Sequence, residues 1–399
     1  MNVSRRACSR ITSGGPGCGI LSHAALVRVC VVLFASLASL AVVPCAFALL
    51  RFNDGKDQVF VTFNAGAGYD SNIYTYDGGP GDFIYSAGVV INYTRRAGLI
   101  GVDASAGLNL SDFVTHSDEN SVDPVFSLEL SKSTGRTTGS LTLNAAHHND
   151  PDVNTSIRAE SWDYGANFAF RYPVIERYSV TGAIGYARTD YLHNDGGLVD
   201  LDTFTASTDL FYVLNSRRDI FVGYRYRDST TSDTGGSQDH AITTGLSGQI
   251  LPKLNGTIRV GYQRRHYTDS GIDETYDGLT AAISTTWTVS KRLNVTGTLT
   301  HDFQTTSTGS TTETTILSIE SQYAVNSRLS LNSNLGTGLN QYKEGNRRDW
   351  YYTAGIGFGY TLHPRLQITG NYQYYQNYSN LSLSEFSRHT FNLGASSRW

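Results

Sequence analysis

From Val59 to the C terminus, apolar and polar residues alternate in segments of ten to fourteen residues. That two-residue period belongs to a strand with one face in water and the other against something apolar. In Leu366–Tyr378, Leu366, Ile368, Tyr372 and Tyr374 share one face, while Gln367, Thr369, Asn371 and Gln373 share the other. In Leu329–Tyr342, Leu331, Leu335 and Leu339 oppose Asn332, Asn334 and Asn340. In Trp350–Leu362, Tyr352, Ala354, Ile356, Phe358 and Tyr360 oppose Thr353, Gly355, Gly357, Gly359 and Thr361. Ile258, Val260 and Tyr262 likewise oppose Thr257, Arg259 and Gln263.

The gaps alternate as well, short then long. Tight turns are expected at 95–98, 132–136, 173–177, 215–219, 251–255, 290–292, 324–328 and 363–365. Longer polar loops are expected at 70–82, 114–121, 148–160, 192–201, 228–239, 268–275, 304–313, 343–349 and 379–386. Eight turns and nine loops imply about eighteen strands in one up-and-down sheet, with both ends of the chain on the tight-turn side. Short turns on one side and longer loops on the other are the habit of outer-membrane barrels.

The stretch Ser387–Trp399 carries the closure. Phe391, Leu393, Ala395 and Trp399 fall on one parity, and Asn392, Gly394, Ser396 and Arg398 on the other. A strand in a membrane cannot keep a bare edge, so this one is expected to pair with the first strand, Val59–Tyr69, and close the sheet. Its alternating apolar residues and terminal aromatic also resemble the insertion signal of bacterial outer-membrane proteins, carried here by Phe391, Leu393 and Trp399.

Composition narrows the class. The chain has 399 residues with 40 Gly, 25 Tyr, 8 Pro and one Met, and 17% charge, which favours strands and turns over helices. No linker or change of composition divides it, so one large closed sheet is expected rather than several soluble domains. At eighteen strands the interior is too wide for side chains to fill. The polar face should therefore line water and the apolar face meet lipid. Tyr69, Tyr93, Tyr172, Tyr178, Tyr191, Tyr267, Tyr323, Tyr342 and Tyr378 recur at strand ends, as interfacial girdles require.

Residues 1–48 have the form of a cleaved signal peptide: Arg5, Arg6, Arg10 and Arg28 precede an apolar run from Val29 to Val43, and Ala46-Phe47-Ala48 offers a small-x-small cleavage site. The run to Leu50 is also long enough to be an anchor. All four cysteines lie in this segment, so 49–399 holds neither disulfide nor thiolate site. Without its four arginines the net charge of −4 becomes −8, which argues against a nucleic-acid partner.

Candidate chemistry is sparse. The lumen-facing parity contains Asp103, Glu129, Arg171, Asp209, Arg225, Arg227, Arg259, Arg265, Asp302 and Glu320. Arg225 and Arg227 fall on the ninth strand and Arg259 and Arg265 on the eleventh. As pore-lining candidates they form either a positive arc that draws anionic solute or a set paired with Asp209, Asp302 and loop acids that stiffens the wall. His147, His148, His266, His301 and His389 are available, but no spacing joins a hydroxyl to a His and an acid. No enzyme, cofactor or metal site is therefore expected.

After the first strand stands Gly68-Tyr69-Asp70-Ser71-Asn72-Ile73-Tyr74. This stretch resembles the N-terminal motif of outer-membrane β-barrel porins often encoded with exopolysaccharide machinery. The resemblance implies an outer-membrane barrel serving polysaccharide export, with lipid, the barrel-assembly machinery, polysaccharide and periplasmic export components as partners. Read from its residues alone, the stretch is a loop start in which Asp70, Ser71 and Asn72 make local turns. The loop it begins, with Gly78-Gly79-Pro80-Gly81, is long enough to fold inward and plug the lumen. A non-conducting structural or assembly barrel is the alternative function.

Overall fold

The computed structural model describes residues 49–193, 195–232, 235–269 and 272–399, so the expected signal segment lies outside the described residues. Nineteen strands follow in order. The first group is β1 (Leu50–Phe52), β2 (Asp57–Asp70), β3 (Asp82–Arg95), β4 (Gly101–Phe113), β5 (Ser121–Lys132) and β6 (Thr138–Asp152). Next come β7 (Ile157–Ile175), β8 (Tyr178–Tyr191), β9 (Leu201–Asn215), β10 (Arg218–Thr231), β11 (Gly236–Leu251), β12 (Leu254–Asp269) and β13 (Ile272–Thr288). The rest are β14 (Leu293–Thr305), β15 (Thr311–Ala324), β16 (Leu329–Tyr342), β17 (Arg348–His363), β18 (Leu366–Ser379) and β19 (Phe386–Arg398). No helix among the described residues is long and apolar enough to cross a membrane. Any crossing falls to strands.

Strands β2 to β19 pair with their sequence neighbours, all antiparallel, and β19 pairs with β2 from Thr390↔Asp70 to Arg398↔Thr62. Trp399 extends that ladder by exchanging both backbone bonds with Val61, at 2.8 and 3.0 Å. The sheet is thus a closed eighteen-stranded barrel, as the alternation predicts. The short β1, Leu50-Arg51-Phe52, is an addition that pairs with the start of β2. The expected loops 148–160 and 228–239 are mostly strand: β6 runs to Asp152, β7 starts at Ile157, β10 reaches Thr231 and β11 starts at Gly236. Polar residues there mark strands rising beyond the membrane, where both faces meet water.

The faces divide as the period requires. Trp350, Ile356 and Phe358 point outward and are exposed, and Leu331, Leu335, Phe391 and Leu393 do the same on their strands. Such a belt of exposed aliphatic and aromatic side chains is stable only against lipid. Three of the expected girdle tyrosines depart from it: Tyr191 lies on the inward parity of β8, opposite buried Ser161. Tyr267 is buried, and the Tyr342 hydroxyl donates to Asn154 Oδ1 at 2.6 Å, inside the loop end. Inner aromatics find room beside glycines: the Phe221 ring covers Gly245, and Tyr351 covers Gly338, where a methyl group would collide with it.

Candidate functional site

The inner wall changes character along its length. On β18, Gln367, Thr369 and Asn371 near the tight-turn end are exposed, Gln373 and Tyr375 are half-buried, and Asn377 at the loop end is buried. On β16, Ser330 and Asn332 are exposed and Gly338 is buried. A cavity of about 630 Å³ against the turn-end wall is lined by Asn294, Glu320, Gln322, Ser330, Asn332 and Asn334. Hydroxyls and amides dominate this half, and they offer hydrogen bonds to solute without deep wells.

Toward the loop end, charged side chains cross the interior. Arg225 on β10 grips Asp302 on β14 through both terminal nitrogens, at 2.7 and 2.9 Å. Arg259 on β12 holds Asp209 on β9 at 2.7 and 2.9 Å. Strands three or four apart can touch only through the lumen, so these contacts fix the inward direction of all four residues. Arg227 and Arg265 converge on Asp239 of β11, each Nε at 2.6 Å from a carboxylate oxygen, and Arg265 and Asp239 are both 0% exposed. Arg171 reaches Asp219 at 3.4 Å. The arginines therefore form no free positive arc: Arg225, Arg227, Arg259 and Arg265 each touch a carboxylate, and the four share Asp209, Asp239 and Asp302. Asp239 is the partner that the sequence reading missed, because a loop was expected to run to it. The alternation Ser237, Asp239, Ala241, Thr243 was the available signal.

The same guanidinium groups cap inner aromatic rings. Arg259 lies 4.4 Å from the Phe221 ring centre and Arg171 5.4 Å from that of Phe211. Near the turn end Arg398 covers Phe60 at 4.0 Å. Rings in a polar lumen are thereby shielded on one face by a weakly hydrated cation. Glu129 and Glu320, in the open half, have no ion-pair partner among the described residues. No group of three or more His, Cys, Asp or Glu among the described residues is arranged to hold a metal.

The mouth at the loop end is spanned by loops. The first, between β2 and β3, folds inward: Ile73 is 0% exposed, and its carbonyl accepts from Arg158 of β7 at 3.4 Å. Its opening residues make the local turns expected of them. Asp70 accepts from the Asn72 N–H at 3.0 Å, Asn72 accepts from the Thr75 N–H at 2.9 Å, and Ser71 bonds to both His389 backbone groups. Asp70 is also held by Arg388 of β19 at 3.0 Å, so the motif pins the line along which the barrel closes. The Tyr74 hydroxyl donates to Glu119 at 2.9 Å, and burial, then that bond, push its pKa up to about 12.

Other loops meet across the opening. The Val199 N–H donates to the Ser307 carbonyl at 2.9 Å, and Asn154 donates to the Ser307 hydroxyl at 3.1 Å. Those residues belong to the β8–β9, β14–β15 and β6–β7 loops; the first and last are neighbours, and the β14–β15 loop reaches them from three to four hairpins away around the wall.

Fold and wall together define a porin-like outer-membrane β-barrel. A family model described as Putative beta-barrel porin 2 matches residues 235–398, and one described as Surface lipoprotein assembly modifier matches 111–306. Among solved structures the chain is similar to OccAB2 of Acinetobacter baumannii, with TM-score 0.49 and 11% identity, covering 86% of this chain and 98% of that one. OpdK of Pseudomonas aeruginosa with vanillate gives TM-score 0.49 and 11% identity, over 86% and 99%. The FrpB iron transporter of Neisseria meningitidis gives 0.47 and 10%, over 86% and 81%. Curated proteins give no match.

Proposed function

We propose that this barrel is an outer-membrane conduit for neutral, hydroxyl-rich solutes, of the chemical class to which exported polysaccharide belongs. The observation that carries the reading is the graded inner wall. One half is an open, hydroxyl- and amide-lined vestibule, and the other is narrowed by paired charges and inward loops. With the arginines engaged by carboxylates, the unpaired acids Glu129 and Glu320 are offset in the vestibule by Lys291 and Arg292, which line the same cavity as Glu320, so small ions of either sign should pass.

Conductance of the purified barrel, residues 49–399, in a planar bilayer tests this. Steady current that added neutral polysaccharide blocks is the expected result. In a salt gradient, replacing Glu129 and Glu320 with Gln should move the reversal potential toward anions. Arg225→Gln and Arg259→Gln, which free Asp302 and Asp209, should move it the other way. A marked preference for anions in the unmodified barrel would instead restore the positive-arc reading.

A second reading rests on the spanned mouth: a barrel whose loops keep it shut and which serves surface assembly. The match to the assembly-modifier model over 111–306 favours it. A folded barrel that carries no current in any variant would select this reading over the first.

A further inference from the structure

One ladder in the barrel stops short without a local cause. The pairing of β13 with β14 begins at Ala281↔His301 and runs to Thr288↔Asn294, so Ile272–Thr280 of β13 has a partner in β12 but none in β14. The pairing of β5 with β6 also stops early, at Val125↔Ala146, but there Pro124 follows with no N–H to give. Neither side of the β13–β14 break holds a proline. The facing residues, Asp273–Thr280 and Asp302–Thr305, are in strand on both sides. Continued in register, the ladder would place Leu279 against Phe303, Gly278 against Gln304 and Asp277 against Thr305.

Three inward arginines hold the tip of β14 instead. Arg225 binds the Asp302 carboxylate, Arg227 donates to the Phe303 carbonyl at 2.6 Å, and Arg265 donates to the Gln304 carbonyl at 3.0 Å. Asp239 fixes both Arg227 and Arg265, and Phe303, itself buried, packs its ring toward Gly278. Drawn toward the lumen in this way, β14 carries its loop to the centre of the mouth, where Ser307 meets Val199 and Asn154.

We infer that the tip of β14, Asp302–Thr305 with the loop to Ser310, is a gate latched shut by Arg225, Arg227 and Arg265, and that release zips it onto the waiting edge of β13 and opens the mouth. Successive carbonyls point to opposite edges of a strand, so it is the Phe303 carbonyl, bonded to Arg227 in one state, that accepts from a β13 amide in the other, while the Gln304 carbonyl keeps to the β15 side with Arg265 upon it. The β13 edge, where the Leu279 carbonyl now accepts from Gln263, lacks a strand partner only in the latched state. A strand tip with a side-chain latch in one position and a strand edge in the other is the bistable element that gating needs. Any solute that binds the arginines or Asp239 would bias it, since such binding is possible only with the latch undone.

The inference rests on the conduit reading, and its test separates the two. Gly278→Cys with Gln304→Cys places thiols opposite each other only in the zipped state, and residues 49–399 contain no other cysteine to interfere. Disulfide formation is followed on a gel, with folded-barrel migration as the check on folding, independently of any current. The expected result is slow cross-linking in this pair alone and several-fold faster cross-linking when Arg227→Gln and Arg265→Gln are added. Oxidised channels should then show a several-fold larger conductance that reductant reverses. Failure to cross-link in both backgrounds overturns the second state. Cross-linking without a change in conductance overturns the gate, whereas the polysaccharide block of the unmodified barrel decides the conduit reading by itself.

Discussion

At the scale of single residues, the interior is governed by matching rather than by net charge. Asp239 has no exposed surface and two arginines on it, so its removal would strand two desolvated cations. Breaking such a buried set by deleting one partner costs ~3–5 kcal/mol. Asp239→Ala should therefore lower the unfolding midpoint in denaturant more than Glu129→Ala, whose side chain stands free in the open half. Gly245 is constrained sterically, because a side chain there would collide with the Ile258 carbonyl and the Phe221 ring. Gly245→Val should cost at least ~1–3 kcal/mol, read from the same titration. Tyr74 sets a pH limit on the first loop. With a pKa raised from 10.0 to about 12, its neutral form is the docked one, so docking is complete below pH 10 and fades toward pH 12. Limited proteolysis of the loop should rise across that window, and Tyr74→Phe should remove the rise.

At the scale of elements, the hairpins were legible and their bends were not. Alternation and turn spacing give each strand its faces, because a one-residue slip would turn every side chain over. They assign no partner across a lumen. Nothing in the spacing of Arg225 and Asp302 announces a contact between strands four apart, and nothing in Asp302–Thr305 announces a strand end drawn inward. The 148–160 stretch misled for a related reason: His148, Asn149 and Asp150 are polar because that part of the strand rises out of lipid, not because it is a loop. At the closing line, the Asp70 side chain is nearly buried beneath Arg388. Arg388→Ala should leave that carboxylate uncompensated and slow the appearance of folded, fast-migrating barrel in detergent. Asp70→Asn combined with Arg388→Ala should recover part of the loss, as a coupled pair requires.

At the scale of the whole molecule, one rule decides which substitutions are tolerated, and it inverts the rule for soluble proteins. Leu335 faces outward at the middle of β16 and Asn334 beside it faces in. Arginine at a lipid-facing midplane site costs ~2–4 kcal/mol. Leu335→Arg should thus depress folding in lipid vesicles by about that much, while Asn334→Arg should leave stability nearly unchanged and shift ion selectivity.

The closing ladder has a consequence in time and in concentration. Arg388 and Asp70, which meet along it, are 318 positions apart in the chain. Every other rung joins neighbouring hairpins and can form early, so the slow event is a search by two bare edges for each other. During that search, the edge of a second molecule competes on equal terms with the edge of the same one. Dilute chains should close upon themselves, whereas crowded ones should exchange edges and become entangled pairs. The fate of a newly exported chain would then depend on how many others are waiting beside it.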